Sequence, residues 1–128
     1  MFKRINATVL FVHNLEPCLR FYRDTLDFKL TFSDGASHAF KLEDQDFVLL
    51  TVDAAADMIS AAAVGLEPVQ GQRVLLCAGV DDVDAVYQAL TAKGVTFIKP
   101  PKDQVWGRRT AYFADPEGHL WELYQMLD

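Results

Sequence analysis

Few side chains in this 128-residue chain combine an ionisable group with a setting that looks deliberate, and Glu122 is foremost among them. It interrupts an apolar run, His119 to Tyr124, that follows the short aromatic and β-branched run Thr110 to Ala114. Asp115, Pro116 and Gly118 lie between the runs and carry the signature of a type I turn, so the two runs are expected to pair antiparallel. A strand period of two places Leu120, Glu122 and Tyr124 on one face and Trp121, Leu123 and Gln125 on the other. A carboxylate standing among large apolar side chains is expected to have a raised pKa. It can accept a hydrogen bond, pair with a cation or act as a general base.

Other groups with chemical potential are weaker. Cys77 has no histidine nearby in sequence to activate it and reads as a pocket-wall thiol. Arg108 and Arg109 precede the penultimate strand; one of them is placed to meet an anionic group, or Arg109 pairs with Glu122 across the sheet. Trp106 is either a rim aromatic or ordinary packing against the hairpin. His13 sits at a strand end, His38 lies on a strand and can face either way, and His119 is out of phase with Glu122 and reads as structural.

These residues are positioned by a repeated pattern. Residues 5–12 form a strand apolar on both faces, and Asn14 caps a helix whose stripe is Leu15, Cys18, Leu19, Tyr22 and Leu26. Phe28–Phe32, His38–Leu42 and Phe47–Val52 follow as strands. After an Ala-rich connector, 53–72, the order returns: Val74–Val80, a helix with stripe Val83, Val86, Tyr87 and Leu90, then Val95–Lys99, Thr110–Ala114 and His119–Gln125. Strand ends Val12 and Val80, and the two helical stripes, share one offset of 68 residues. The expected fold is α+β in one domain: two βαβββ repeats, about 5–52 and 73–126, forming a curved mixed sheet around a concave cavity, with helices outside. Phase then directs Ala7, Val9 and Phe11, Arg73, Leu75 and Cys77, and Leu120, Glu122 and Tyr124 inward.

The repeat, the FY-containing helix and the ending DPEGHLWEL resemble the vicinal oxygen chelate superfamily, which unites glyoxalases, bleomycin-resistance proteins and extradiol dioxygenases. The resemblance runs from about Ile5 to Gln125. It implies up to four metal ligands on inward strand faces, with open coordination positions for a substrate. Carried over, those positions fall on Ala7, on Leu49 or Leu50, on Leu75 and on Glu122, of which only Glu122 binds metals. The resemblance is therefore to the metal-free, bleomycin-resistance-like branch, with no metal and no cofactor expected. It implies a small-molecule pocket lined by Phe11, His38, Cys77, Trp106, Arg109 and Tyr124, with Glu122 as the one catalytic candidate. A metal-dependent lyase or dioxygenase with a different register, and a metal-free isomerase or lyase using Glu122 as base, remain alternatives. It also implies a homodimer, domain-swapped or not.

Composition agrees with a soluble intracellular domain. Half the residues are apolar, 51%, enough for a core without staples. Two cysteines far apart fit a reducing compartment, and neither a signal peptide nor a membrane-spanning run is read, so the expected location is cytoplasmic. Twelve basic and eighteen acidic residues, unclustered, give a net charge of −6 and argue against nucleic acid as a partner.

Overall fold

The computed structural model describes residues 1–128 and divides into two compact units, Met1–Val69 and Gln70–Asp128. Each has one four-stranded mixed sheet, as the repeated βαβββ pattern requires.

In the first unit, β1 (Ala7–Val12) lies parallel to β4 (Asp46–Thr51), followed by β3 (Ser37–Lys41) and β2 (Lys29–Ser33), both antiparallel to their neighbours. Helix α1 (Leu15–Arg20) passes directly into a π-helical turn, Phe21–Thr25, and the segment stops at Asp27 with a left-handed φ of 60°. Of the helical stripe, Cys18, Leu19 and Tyr22 are buried, Cys18 and Tyr22 completely, while Leu15 and Leu26 are half-buried. Tyr22, Phe28, Phe40 and Phe47 form one aromatic cluster, with ring centroids 4.8 Å apart for Tyr22–Phe47 and 5.5 Å for Phe28–Phe47. This cluster, with Leu49, is the core of the unit.

The stretch expected as connector is more ordered than its composition suggests. Thr51 accepts a hydrogen bond from the Ala54 N–H and starts α2 (Val52–Met58); Ser60 does the same for Ala63 and starts α3 (Ala61–Val64). Alanine-rich sequence needs only such caps to form helix, since its propensity is already high.

In the second unit the strand order is β5 (Leu75–Gly79), β8 (Leu120–Met126), β7 (Arg108–Ala114), β6 (Phe97–Asp103). Helix α4 (Val83–Ala92) is capped twice: Asp82 accepts from the Ala85 N–H, and the Gln125 side chain of β8 accepts from the Val83 N–H at 2.6 Å. Tyr87, Phe97, Phe113 and Trp121 form a continuous aromatic row against the sheet. The turn after β7 is held by Asp115, whose buried carboxylate accepts from the backbone N–H groups of Glu117 and His119 and contacts His119 Nδ1 at 2.8 Å. His119 is therefore structural, as its phase suggested.

One strand departs from expectation. β6 does not end at Lys99 but runs through Pro100 and Pro101 to Asp103, leaving only a turn at residues 104–107 before β7. Two prolines are tolerated because β6 is an edge strand and its pairing with β7 is irregular there.

Candidate functional site

The site is assembled on the face of the second sheet that turns away from α4. The β7–β8 hairpin pairs Ala114 with Leu120, which sets Tyr112 directly opposite Glu122 and Thr110 opposite Tyr124. On its other side, β8 runs parallel to β5 with Cys77 opposite Glu122 and Gly79 opposite Tyr124. Directly opposed residues share a face, so Glu122 stands between a phenol and a thiol.

Glu122 is only 5% exposed. The Tyr112 hydroxyl donates to its Oε1 at 2.6 Å, a short, charge-assisted bond, and Cys77 stands beside the same carboxylate from β5. Behind Tyr112 the network continues. Thr110 lies two residues from Tyr112 on the same face of β7, and Gln104 Nε2 donates to Thr110 Oγ1 at 3.0 Å. No buried side-chain polar atom is left without a partner.

The neighbours titrate accordingly. Partial withdrawal from water raises Cys77, and the Glu122 charge raises it further, because a thiolate there would face a carboxylate. Tyr112 is raised first by withdrawal from water, then by its hydrogen bond to Glu122 and, more weakly, by the Glu122 charge, with Thr110 opposing. Both groups hold their protons more tightly folded than unfolded. The stability this contributes is complete below their unfolded values of about 9 and about 10 and is lost as pH rises through the folded ones. Cys77 is the more accessible of the two free cysteines. It is expected to react with iodoacetamide at pH 8 more slowly than a free thiol, and faster once Glu122 is changed to Gln; peptide mapping after timed alkylation reads both rates.

Tyr124 lies across β5 where Gly79 leaves room: a Cβ at residue 79 would come within 3.1 Å of the Tyr124 ring and hydroxyl. The Arg108 guanidinium sits 4.1 Å above the same ring, a cation–π contact. Toward the sheet edge, a recess of about 410 Å³ is lined by Lys99, Pro100, Lys102, Gln104, Thr110 and Tyr112.

Three of the residues expected in the pocket, Cys77, Glu122 and Tyr124, thus come together. Phe11 belongs to the first unit and lies, half-buried, on the sheet face opposite the helix-packed one, as its phase required.

Two expectations are corrected. Arg109 does not face Glu122: it lies on the α4 side, bidentate to Asp84 of that helix and bonded to Asp103, each at 2.9 Å. These two carboxylates raise its already high pKa, and Arg109 in turn lowers that of Asp84. Arg108 is the arginine of the site. His38 is buried in the helix-packed face of the first sheet, opposite Leu49 and two residues from Phe40, with Nδ1 2.7 Å from Ser33 Oγ. It is a core histidine, satisfied by its strand neighbour. Leu49 shares that face, so of the two registers considered Leu50 is the residue in line with Phe11. Trp106 packs against little, 54% exposed on the β6–β7 turn beside fully exposed Val105.

The set of candidate metal donors is sparse. No three His, Cys, Asp or Glu side chains group so as to hold an ion, and the strand positions Ala7, Leu50 and Leu75 offer only hydrocarbon. Glu122 accepts from Tyr112, with Cys77 opposite it on β5.

The family profile described as Glyoxalase/Bleomycin resistance protein/Dioxygenase superfamily matches residues 4–123. The chain belongs to that superfamily. Within the superfamily's range, it is 30% identical over 121 residues to the uncharacterized protein YraH of Bacillus subtilis, covering 92% of this chain and 94% of that one. A crystal structure of a glyoxalase/bleomycin resistance protein/dioxygenase from Nocardioides superposes with a TM-score of 0.89 at 26% identity, over 100% of this chain and 86% of that chain. A lactoylglutathione lyase from Agrobacterium tumefaciens superposes with a TM-score of 0.78 at 21% identity, over 98% and 95%, which attests the shared fold. The paired βαβββ architecture of the superfamily is therefore present.

Proposed function

We propose that this superfamily member binds a small molecule on the face that carries Glu122 and does so without a catalytic metal, as a metabolite-binding or drug-sequestering protein. One observation carries the reading: the Glu122 carboxylate accepts from Tyr112 with Cys77 alongside, and the side chains at the other expected ligand positions are aliphatic. A carboxylate so held is a fixed acceptor in a mostly apolar wall formed by Leu75, Leu120 and Tyr124, which suits orientation of a ligand bearing an N–H or O–H. We further place the protein in the cytoplasm and expect a homodimer, on the sequence features given above.

Anaerobic calorimetric titration with Ni²⁺, Zn²⁺, Mn²⁺ and Fe²⁺ tests the metal-free reading. No uptake is expected. Stoichiometric binding at micromolar or tighter affinity would overturn it and return the protein to the lyases and dioxygenases. A thermal-shift screen of small planar compounds then tests binding itself.

A second reading is favoured by the 2.6 Å contact alone. A carboxylate that accepts a hydrogen bond from a phenol is an acid–base couple, as a metal-free isomerase or lyase requires. Turnover that survives chelators and disappears in Glu122→Gln would establish it.

A further inference from the structure

The recess beside Tyr112 has an electrostatic character that the acidic chain as a whole does not. Lys99 and Lys102 are three residues apart on β6. In a regular strand, an odd spacing would send them to opposite faces. Here Lys99 pairs with Tyr112 while Lys102 pairs with Thr110, so three steps along β6 match two along β7. The extra residue is absorbed at Pro100-Pro101, and the bulge sets both lysines on one side of the strand, where both line the recess. Neither lysine has a hydrogen-bond or ion-pair partner. The adjacent carboxylate, Asp103, is drawn to the opposite face by Arg109. A chain with eighteen acidic residues thus brings two cations together with no counter-charge beside them. Guarding an exposed sheet edge needs a lysine, but not two converging on one hollow. Like charges repel, and an anion between them removes the repulsion.

We propose that this recess seats an anionic group of the ligand, a carboxylate or a phosphate, held by Lys99 and Lys102. The inference rests on the binding function proposed above and narrows it. Gln104 and Thr110 supply neutral polar groups on the floor of the recess. Tyr112 belongs both to the recess and to the Glu122 network, so the anion lies at one end of the ligand and the group hydrogen-bonded to Glu122 at the other. The ligand class is a small, planar or short-chain acid carrying a hydrogen-bond donor, rather than a cation.

Benzoate, phenyl phosphate and neutral benzamide are the probes, titrated by NMR chemical-shift perturbation into the wild-type protein, Lys99→Gln/Lys102→Gln, Lys99→Arg/Lys102→Arg and Glu122→Gln. At least one anionic probe is expected to bind about tenfold tighter than benzamide. That preference should fall with added salt, vanish in the double glutamine variant and persist in the double arginine variant. Whether benzoate or phenyl phosphate binds more tightly identifies the anion. Benzamide bound as tightly as the anions, and weakened by Glu122→Gln, would leave the binding function standing and overturn the anion seat. A preference for anions that survives in the double glutamine variant would also overturn it. Binding of none of the probes, together with no hit in the thermal-shift screen, would take down both.

Discussion

Glu122→Gln is expected to weaken ligand binding about tenfold while leaving the fold intact. Glutamine keeps the volume of glutamate and a carbonyl to accept from Tyr112, so the hairpin face retains its packing and its 2.6 Å partner. What is lost is the charge. Hydrogen bonds to a charged group contribute about 1–2 kcal/mol more than neutral ones, and that difference sets the expected change in Kd. The melting temperature should hold or rise, because a carboxylate 5% exposed carries a desolvation cost that an amide does not. Calorimetry with the tightest compound from the thermal-shift screen, run beside a thermal melt, separates the cases. Unchanged affinity with a lower melting temperature would make Glu122 a structural residue.

A larger effect on stability is expected in the first unit. Phe47→Ala should cost about 3–5 kcal/mol, as truncation of buried aromatic side chains does. Phe47 is 1% exposed, and its ring meets Tyr22, Phe28 and Phe40 with centroids 4.8, 5.5 and 6.3 Å away. The cavity would open at the middle of the cluster, with β4 and α1 both held by backbone hydrogen bonds and unable to collapse into it. Against a total of about 5–15 kcal/mol, such a loss unfolds a large share of the molecules at modest urea concentration. Phe32→Ala is the control: the same chemistry on a side chain 56% exposed should change stability by about 0.5 kcal/mol or less. Equal midpoints for the two variants in urea denaturation would contradict this account of the core.

Much of this was legible in the residue order. Strand and helix periods depend on backbone geometry alone, so the stripe from Leu15 to Tyr22, the equivalent stripe from Val83 to Leu90, and the two-residue alternation through Glu122 follow directly from hydrophobic pattern. The turn at Asp115 was equally plain, since Asp, Pro and Gly each have a local reason to be there. The absence of ligating side chains at Ala7 and Leu75 is a property of composition and needs no coordinates.

What the tertiary structure decided is which neighbours meet. Arg108 and Arg109 are adjacent and chemically identical. Their roles separated only when the register of β7 on β8 sent one toward Tyr124 and the other toward Asp84 of α4. His38 was ambiguous for the same reason: a strand period states that two faces exist and not which of them the helix covers. Tyr112 was within reach of sequence reasoning, because the turn that begins at Asp115 implies the pairing of 112 with 122, but its phenol gained significance only beside a buried carboxylate. The two lysines were further out of reach. Their convergence depends on a bulge at Pro100-Pro101, and a bulge reverses the face of every residue beyond it. Sequence by itself determined the elements, the repeat and the packing faces, all of which are local. Cross-strand register and one irregular edge are non-local, and they alone decided which charged groups stand together around Glu122.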